Sequence, residues 1–296
     1  MNKKDLPIAV FVSGVGGICV MKELIALMPE EHYLFFGDSA NAPYGTRTTE
    51  EVKVLTLNAA AKLYERGIKA LVVACNTATA AAIEDLRQEY PGIVIVGIEP
   101  ALKMATDRFP RGHVGIMATQ VTLREEKLEH LVGRFPDATV ERIPAPGLVE
   151  LVEQGKAESE ETESLLRQIL SPYLGQLDAI VLGCTHYPFV KDTVQKVLGQ
   201  QVKVLDGGAG TARQTKRLLE ERGWLRTGKG SLKMENSSGR QALLDLGMAL
   251  LQKYREVHHE EQSGERYCRR QRQRKNHTSE EYYPDLWPGY HGDQPR

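Results

Sequence analysis

The stretch Ala70-Leu-Val-Val-Ala-Cys-Asn-Thr-Ala-Thr79 decides the fold: an apolar run without polar alternation, then a polar turn, then a segment of helical period. A strand that is apolar on both faces is buried on both, which is the mark of a parallel sheet flanked by helices. Upstream the same unit occurs as Ile8-Ala-Val-Phe-Val12 before 18–28 and Tyr33-Leu-Phe-Phe36 before 49–66. The stretch itself leads into 78–89, and Ile93-Val-Ile-Val96 precedes 100–108. Downstream follow His113-Val-Gly-Ile-Met117 before 121–134, Thr139-Val-Glu-Arg-Ile143 before 147–173, Ala179-Ile-Val-Leu182 before 188–198 and Val202-Lys-Val-Leu205 before 211–222. Eight units exceed what one compact sheet of this size holds, so the expected fold is α/β with two doubly wound domains. Ligands of such sheets bind at the carboxyl ends of strands, and function is to be sought there.

Four strand ends carry polar or glycine-rich clusters: Val12-Ser-Gly-Val-Gly-Gly17, Gly37-Asp-Ser-Ala-Asn-Ala-Pro-Tyr-Gly-Thr-Arg47, Cys75-Asn-Thr-Ala-Thr79 and Gly183-Cys-Thr-His-Tyr-Pro188. Taken singly, Ser13, Asn76, Thr77 and Thr185 read as helix N-caps. Gathered at one rim, they suit a polar ligand with a carboxylate. The first loop invites a dinucleotide reading through Gly14, Gly16 and the downstream Asp38. It fails where the third glycine belongs, because Cys19 stands there. A turn whose amides approach a small anion is the more modest reading.

Cys75 and Cys184 each follow an apolar strand and precede a helix. A thiol at a helix N-terminus is expected to have its pKa drawn from about 8.5 toward neutrality. Cys19, inside the amphipathic segment 18–28, fits a packing role instead. Cys75, Cys184 and His186 are also conceivable zinc ligands, but no Cys-x-x-Cys or His pair completes the set. Nucleophilic Cys184/His186 chemistry leaves Cys75 without a role. Two opposed thiols suit abstraction of a proton next to a carboxylate and its return from the other face, one thiolate and one thiol at the start of each turnover.

The four motifs, with Val72-Val-Ala-Cys-Asn-Thr-Ala-Thr79 and Val181-Leu-Gly-Cys-Thr-His-Tyr-Pro188 as the most specific, resemble the glutamate racemases of the cofactor-independent aspartate/glutamate racemase superfamily. The likeness runs over about residues 7–252. It implies two pseudo-symmetric α/β domains with the active site in the cleft between them, one of residues 1–98 plus 208–252 and the other of 99–207. It implies that Cys75 acts on the D-glutamate hydrogen and Cys184 on that of L-glutamate, with His186, Asp38 and Glu153 in support. Ser13, Pro43, Tyr44, Gly45, Asn76, Thr77, Thr185 and His186 would hold the substrate, and Val12 would contribute its backbone only. No cofactor or metal is implied. The role implied is D-glutamate supply for peptidoglycan by a cytoplasmic homodimer. One departure matters: the family's aspartate before Ser-Gly is Val12 here, which can neither manage a proton at Cys75 nor meet an ammonium. The residues leave open a catalytically impaired relative that binds an amino acid or a protein, and a racemase for aspartate or another amino acid.

Composition agrees with this frame. The 296 residues hold 38 Lys+Arg against 39 Asp+Glu, and a net charge of -1 excludes a general polyanion-binding surface, so no nucleic acid is expected. No apolar run approaches the roughly 18 residues of a membrane span, and the N-terminus is too short in apolar residues for a signal peptide. Four Cys cannot form a disulfide scaffold. Residues 253–296 read as a disordered tail, poor in aliphatic residues and carrying a basic run at 266–275 that includes Cys268.

Overall fold

The computed structural model describes residues 2–124 and 126–263. Strands and helices alternate in the order β1 (Ile8–Val12), α1 (Ile18–Leu27), β2 (His32–Gly37), α2 (Thr49–Glu65), β3 (Ala70–Val73), α3 (Asn76–Glu89), β4 (Val94–Gly97) and α4 (Leu102–Arg108). They continue as β5 (His113–Ala118), α5 (Gln120–Arg124), α6 (Glu126–Val132), β6 (Thr139–Pro144), α7 (Leu148–Glu153), α8 (Glu160–Leu170), β7 (Ala179–Leu182) and α9 (Lys191–Leu198). The chain then runs through β8 (Lys203–Asp206), α10 (Gly208–Glu221), β9 (Ser231–Asn236) and α11 (Gln241–Ser263).

Among the described residues every strand pairing is parallel, in two sheets of order β4-β3-β1-β2-β9 and β6-β5-β7-β8. The expected fold class is therefore the one found. Strands β1, β3 and β7 are buried along their whole length, as their unbroken apolar runs require. Among the described residues no helix is long and apolar enough to cross a membrane.

Sheet order reverses beside β1/β3 in the first sheet and beside β5/β7 in the second, because β2 and β6 each lie on the other flank of their predecessor. These reversals open the crevices where ligands of such sheets bind. The outward and returning crossings between sheets touch: a Cβ on Gly207 would lie 2.3 Å from the Glu99 carbonyl oxygen. After that crossing α10 packs on α1 and β4, and β9 pairs with β2 at the sheet's edge.

Three differences from the sequence reading have local causes. The segment 147–173 is two helices, because the chain turns at Gly155 with φ +73° and restarts where Ser159 caps α8 by accepting from Thr162 N–H. The segment 121–134 likewise divides into α5 and α6. The sequence does not mark β9 as a strand, since Ser-Leu-Lys-Met-Glu-Asn is half-exposed at an edge and lacks an apolar run. The tail boundary at 253 falls inside α11, which reaches Ser263, while the basic run at 266–275 and Cys268 lie outside the described residues.

Candidate active site

Each crevice delivers a thiol. Cys75 follows β3 and occupies the N-cap position of α3, while Cys184 follows β7 by two residues. Both are buried, and both line one cavity of about 560 Å³ between the sheets. From the first sheet Ser13, Pro43, Tyr44, Gly45, Asn76 and Thr77 join them; from the second come Thr185, His186 and Glu153. Val12 and Asp38 stand behind this wall, with the Val12 carbonyl accepting the Asp38 N–H.

The two thiols have unlike surroundings. Cys184 Sγ lies 3.7 Å from His186 Nδ1, and His186 Nε2 is 2.7 Å from Glu153 Oε1. Glu153 Oε1 also accepts the Val15 N–H at 2.8 Å. Burial alone draws the His186 ring downward, but its hydrogen bonds to Cys184 and Glu153, and their charges, push it up to about 10. Burial raises Glu153, and this is outweighed by His186, the Val15 amide and the charge of Arg240, which leave it below the usual carboxylate range. A carboxylate, an imidazolium and the Cys184 sulfur thus form a continuous chain, in which His186 at neutral pH carries its proton.

Among the described residues Cys75 has a single side-chain partner, the Ser13 hydroxyl at 3.6 Å. Its thiol is pushed up by burial first of all, against the lowering effect of the Ala78 amide and of Ser13. The drop toward neutrality expected from the helix N-terminus is therefore reversed at Cys75: the amide is in place, and desolvation outweighs it. Val12 is fully buried and offers no charge nearby; a Cβ on Gly17 would meet its Cβ at 2.8 Å.

N-capping accounts for none of the four residues first read that way. Cys75 itself is the α3 N-cap and makes no side-chain capping bond, Asn76 and Thr77 lie within the helix, and Ser13 turns to Cys75. Thr185 precedes a short 3-10 turn, Tyr187–Val190, capped by His186 without a side-chain bond. Asp38 accepts from the Tyr44 hydroxyl at 2.6 Å and from Asn41 Nδ2 at 3.0 Å, so it fixes the cavity's tyrosine from behind. Burial and that bond push the Tyr44 phenol well above its ordinary range, and it stays a donor.

The glycine-rich loop also has a different reason. The anion met by its Val15 amide is Glu153, a residue of the other sheet's layer. A Cβ on Gly14 would lie 1.9 Å from Glu153 Oε1, and one on Gly16 would lie 2.7 Å from His186 Nδ1. The glycines make room for the Glu153–His186 pair. Both ring nitrogens of His186 are engaged, and among the described residues no group of three or more His, Cys, Asp or Glu is arranged to hold a metal ion.

Sequence reasoning missed Thr119 and Thr122. Thr77 Oγ1 is 3.1 Å from Thr119 Oγ1 and 3.3 Å from Thr122 Oγ1, a hydroxyl cluster that bridges the two layers. Thr119 directly follows β5, so the strand-end rule was enough to find it. Glu150 and Arg240 also line the cavity. Glu150 is one turn before Glu153 on α7, a signal legible in the spacing, whereas nothing in the sequence marks Arg240.

The profile of the Asp/Glu/hydantoin racemase family matches residues 19–215 of this chain. A glutamate racemase of Clostridium botulinum is 46% identical over 256 residues, 85% of this chain and 99% of the relative. One from Clostridium kluyveri is 49% identical over 256 residues with the same shares, 85% and 99%. The crystal structure of glutamate racemase from Francisella tularensis in complex with D-glutamate superposes with a TM-score of 0.75 at 26% identity, covering 84% of this chain and 94% of that one.

Proposed function

The chain belongs to the Asp/Glu/hydantoin racemase family, and from that premise we infer that it is a glutamate racemase working with two thiols, Cys75 and Cys184, on opposite faces of the substrate's α-carbon. The observation that carries the mechanism is the pair of buried cysteines ending corresponding strands of two sheets and lining one cavity. With L-glutamate bound, the Cys184 thiolate removes the α-proton, and the electron pair passes into the substrate carboxylate. The Cys75 thiol then returns a proton from the other face, leaving D-glutamate, a Cys184 thiol and a Cys75 thiolate. The reverse turnover restores the first state, and no electron is gained or lost.

The surroundings suit this division. The His186 imidazolium gives the Cys184 thiolate a charge partner, and Glu153 holds the ring at the correct angle through Nε2. Burial keeps Cys75 protonated, ready to donate. The buried Asn76 Oδ1 lacks a protein partner among the described residues and is an acceptor for the substrate ammonium. The hydroxyls of Thr77 and Thr185 are donors for its carboxylates.

The functional halves are residues 1–98 plus 208–252 and 99–207. The biological role is D-glutamate supply for peptidoglycan in the cytoplasm, with the enzyme a homodimer. One observation favours a second reading: with Val12 in place, Cys75 has only a serine beside it among the described residues, and the protein is then an impaired enzyme that retains amino-acid binding.

The test is α-hydrogen exchange into each glutamate enantiomer in deuterated water, with the native protein and with Cys75→Ala and Cys184→Ala. Racemisation with both thiols and none with either alone supports the mechanism. No exchange of either enantiomer, with binding retained, selects the impaired reading; exchange of aspartate in preference to glutamate reassigns the substrate.

A further inference from the structure

The cavity's charge balance contains a group that the two-thiol reaction does not use. Its lining carboxylates, Glu150 and Glu153, face a substrate that itself carries two carboxylates. Against them stand His186, whose ring is committed to Cys184 and Glu153, and Arg240. Arg240 lies at the turn between β9 and α11, on the segment that returns to the first sheet.

Its backbone is fastened and its side chain is not. The Arg240 N–H donates to Ser238 Oγ at 3.4 Å, and its carbonyl accepts from Asn236 Nδ2 at 3.0 Å. The helix that follows is tied to the opposite layer, with a Cβ on Gly155 reaching to within 3.8 Å of Leu246 Cδ1 and Lys253 paired to Glu158. The exposed guanidinium makes no hydrogen bond or ion pair among the described residues, yet its charge is felt by Glu153. A positive charge beside an opening with acidic walls attracts an anionic ligand and offsets those walls.

We propose that Arg240 is the substrate-steering residue of this site: its free guanidinium at the cavity mouth draws in the glutamate anion and meets a carboxylate on entry. It touches none of the reacting atoms and acts on capture. The proposal rests on glutamate being the ligand, and its test separates the two claims.

Native protein, Arg240→Gln, Arg240→Lys and Arg240→Glu are compared for kcat/KM on glutamate from low to high salt. The Kd for D-glutamate is measured over the same range in the non-turning Cys184→Ala background. Arg240→Gln is expected to lower kcat/KM by about three- to tenfold at low salt, mainly through KM, and to flatten its salt dependence. Arg240→Glu goes further, and Arg240→Lys keeps the salt slope because charge rather than fork geometry is at work. A purely structural role would lower activity without changing the slope. Equal slopes in native protein and Arg240→Gln overturn the proposal, as does a lack of glutamate binding at any salt. If the native protein binds glutamate with an Arg240-dependent slope but exchanges no α-hydrogen, the steering role stands and the racemase reading falls.

Discussion

Replacing Gly16 with alanine tests whether the two layers interlock through His186. A Cβ there would lie 2.7 Å from His186 Nδ1, 2.8 Å from Cε1 and 2.9 Å from Cγ. Gly16 has no positive φ, so the glycine is needed for space and not for backbone conformation. Ordinary contact requires about 3.4 Å or more, so the ring must retreat by about 0.5–0.7 Å. It has nowhere to turn freely: His186 is 3% exposed and held at both nitrogens. Displacement lengthens the Cys184–His186 contact or the 2.7 Å bond to Glu153, or else parts the layers. Misplacing a catalytic group by this order costs up to about 10²-fold in rate, so Gly16→Ala is expected to lower kcat by about 10- to 100-fold. The decisive assay is a double-mutant cycle with His186→Ala, read by coupled racemisation kinetics. If the methyl acts through the ring, Gly16→Ala adds little once the ring is gone. Native kcat in Gly16→Ala, or a full independent loss on the His186→Ala background, refutes the interlock.

Val12→Asp gives Cys75 the carboxylate that the sequence lacks and is expected to raise kcat/KM about tenfold or more; an unchanged or lower rate shows that Val12 does not limit the reaction. Since burial raises the Cys75 thiol and L-glutamate turnover needs it protonated, kcat for L-glutamate should hold as pH rises past about 8.5, the free cysteine value. A basic limb below pH 8 in that profile contradicts the assignment of Cys75 as the donor. Far from the cavity, Lys69 is fully buried against Glu31, with further bonds to the Lys4 and Trp224 carbonyls at 2.7 and 3.0 Å. Glu31→Ala leaves that ammonium without its counter-charge and is expected to cost about 3–5 kcal/mol in chemical denaturation. Recovery in a Glu31→Leu/Lys69→Met double variant would identify the unpaired charge as the cause.

Much of this was legible in the chain because burial writes itself into composition. An all-parallel sheet covered on both faces needs apolar strands, and Ala70–Val73 and Ala179–Leu182 could hardly be read otherwise. Strand ends located Ser13, Cys75, Asn76, Thr77, Cys184, Thr185 and His186, all of which line the cavity. Local pattern fails where the deciding partner is distant. Strand β9 exists because β2 has a free edge, and its half-exposed residues carry no such mark. The reason for Gly14 and Gly16 lies 139 and 170 residues away, in Glu153 and His186. The reversal at Cys75 has the same origin. Helix position is local and legible in the chain, but the depth of burial that overrides it is set by the whole fold.

The unequal surroundings of the thiols constrain what kinetics can reveal. Enantiomers have equal free energies in water, so racemisation has an equilibrium constant of one, and kcat/KM must be the same from either side. A poorly served Cys75 therefore lowers kcat/KM for both enantiomers equally, although in the proposed mechanism only one of them gives up its hydrogen to that thiol. The imbalance appears instead in kcat, which depends on the bound state, and in the isotope content of recovered substrate. If proton transfer at Cys75 is the slower step, L-glutamate that has lost its hydrogen to Cys184 regains a proton there more often than it crosses to the D form. Deuterium then accumulates in unreacted L-glutamate whenever Cys184 exchanges with solvent before release. In the proposed mechanism the chain from Glu153 through His186 to Cys184 serves that exchange, and Ser13, the one side-chain partner of Cys75 among the described residues, offers nothing comparable. Deuterium should accordingly enter recovered L-glutamate faster than recovered D-glutamate, and Val12→Asp should narrow the difference. Equal washing-in from the two sides would mean that the thiols are equally served despite their different neighbours.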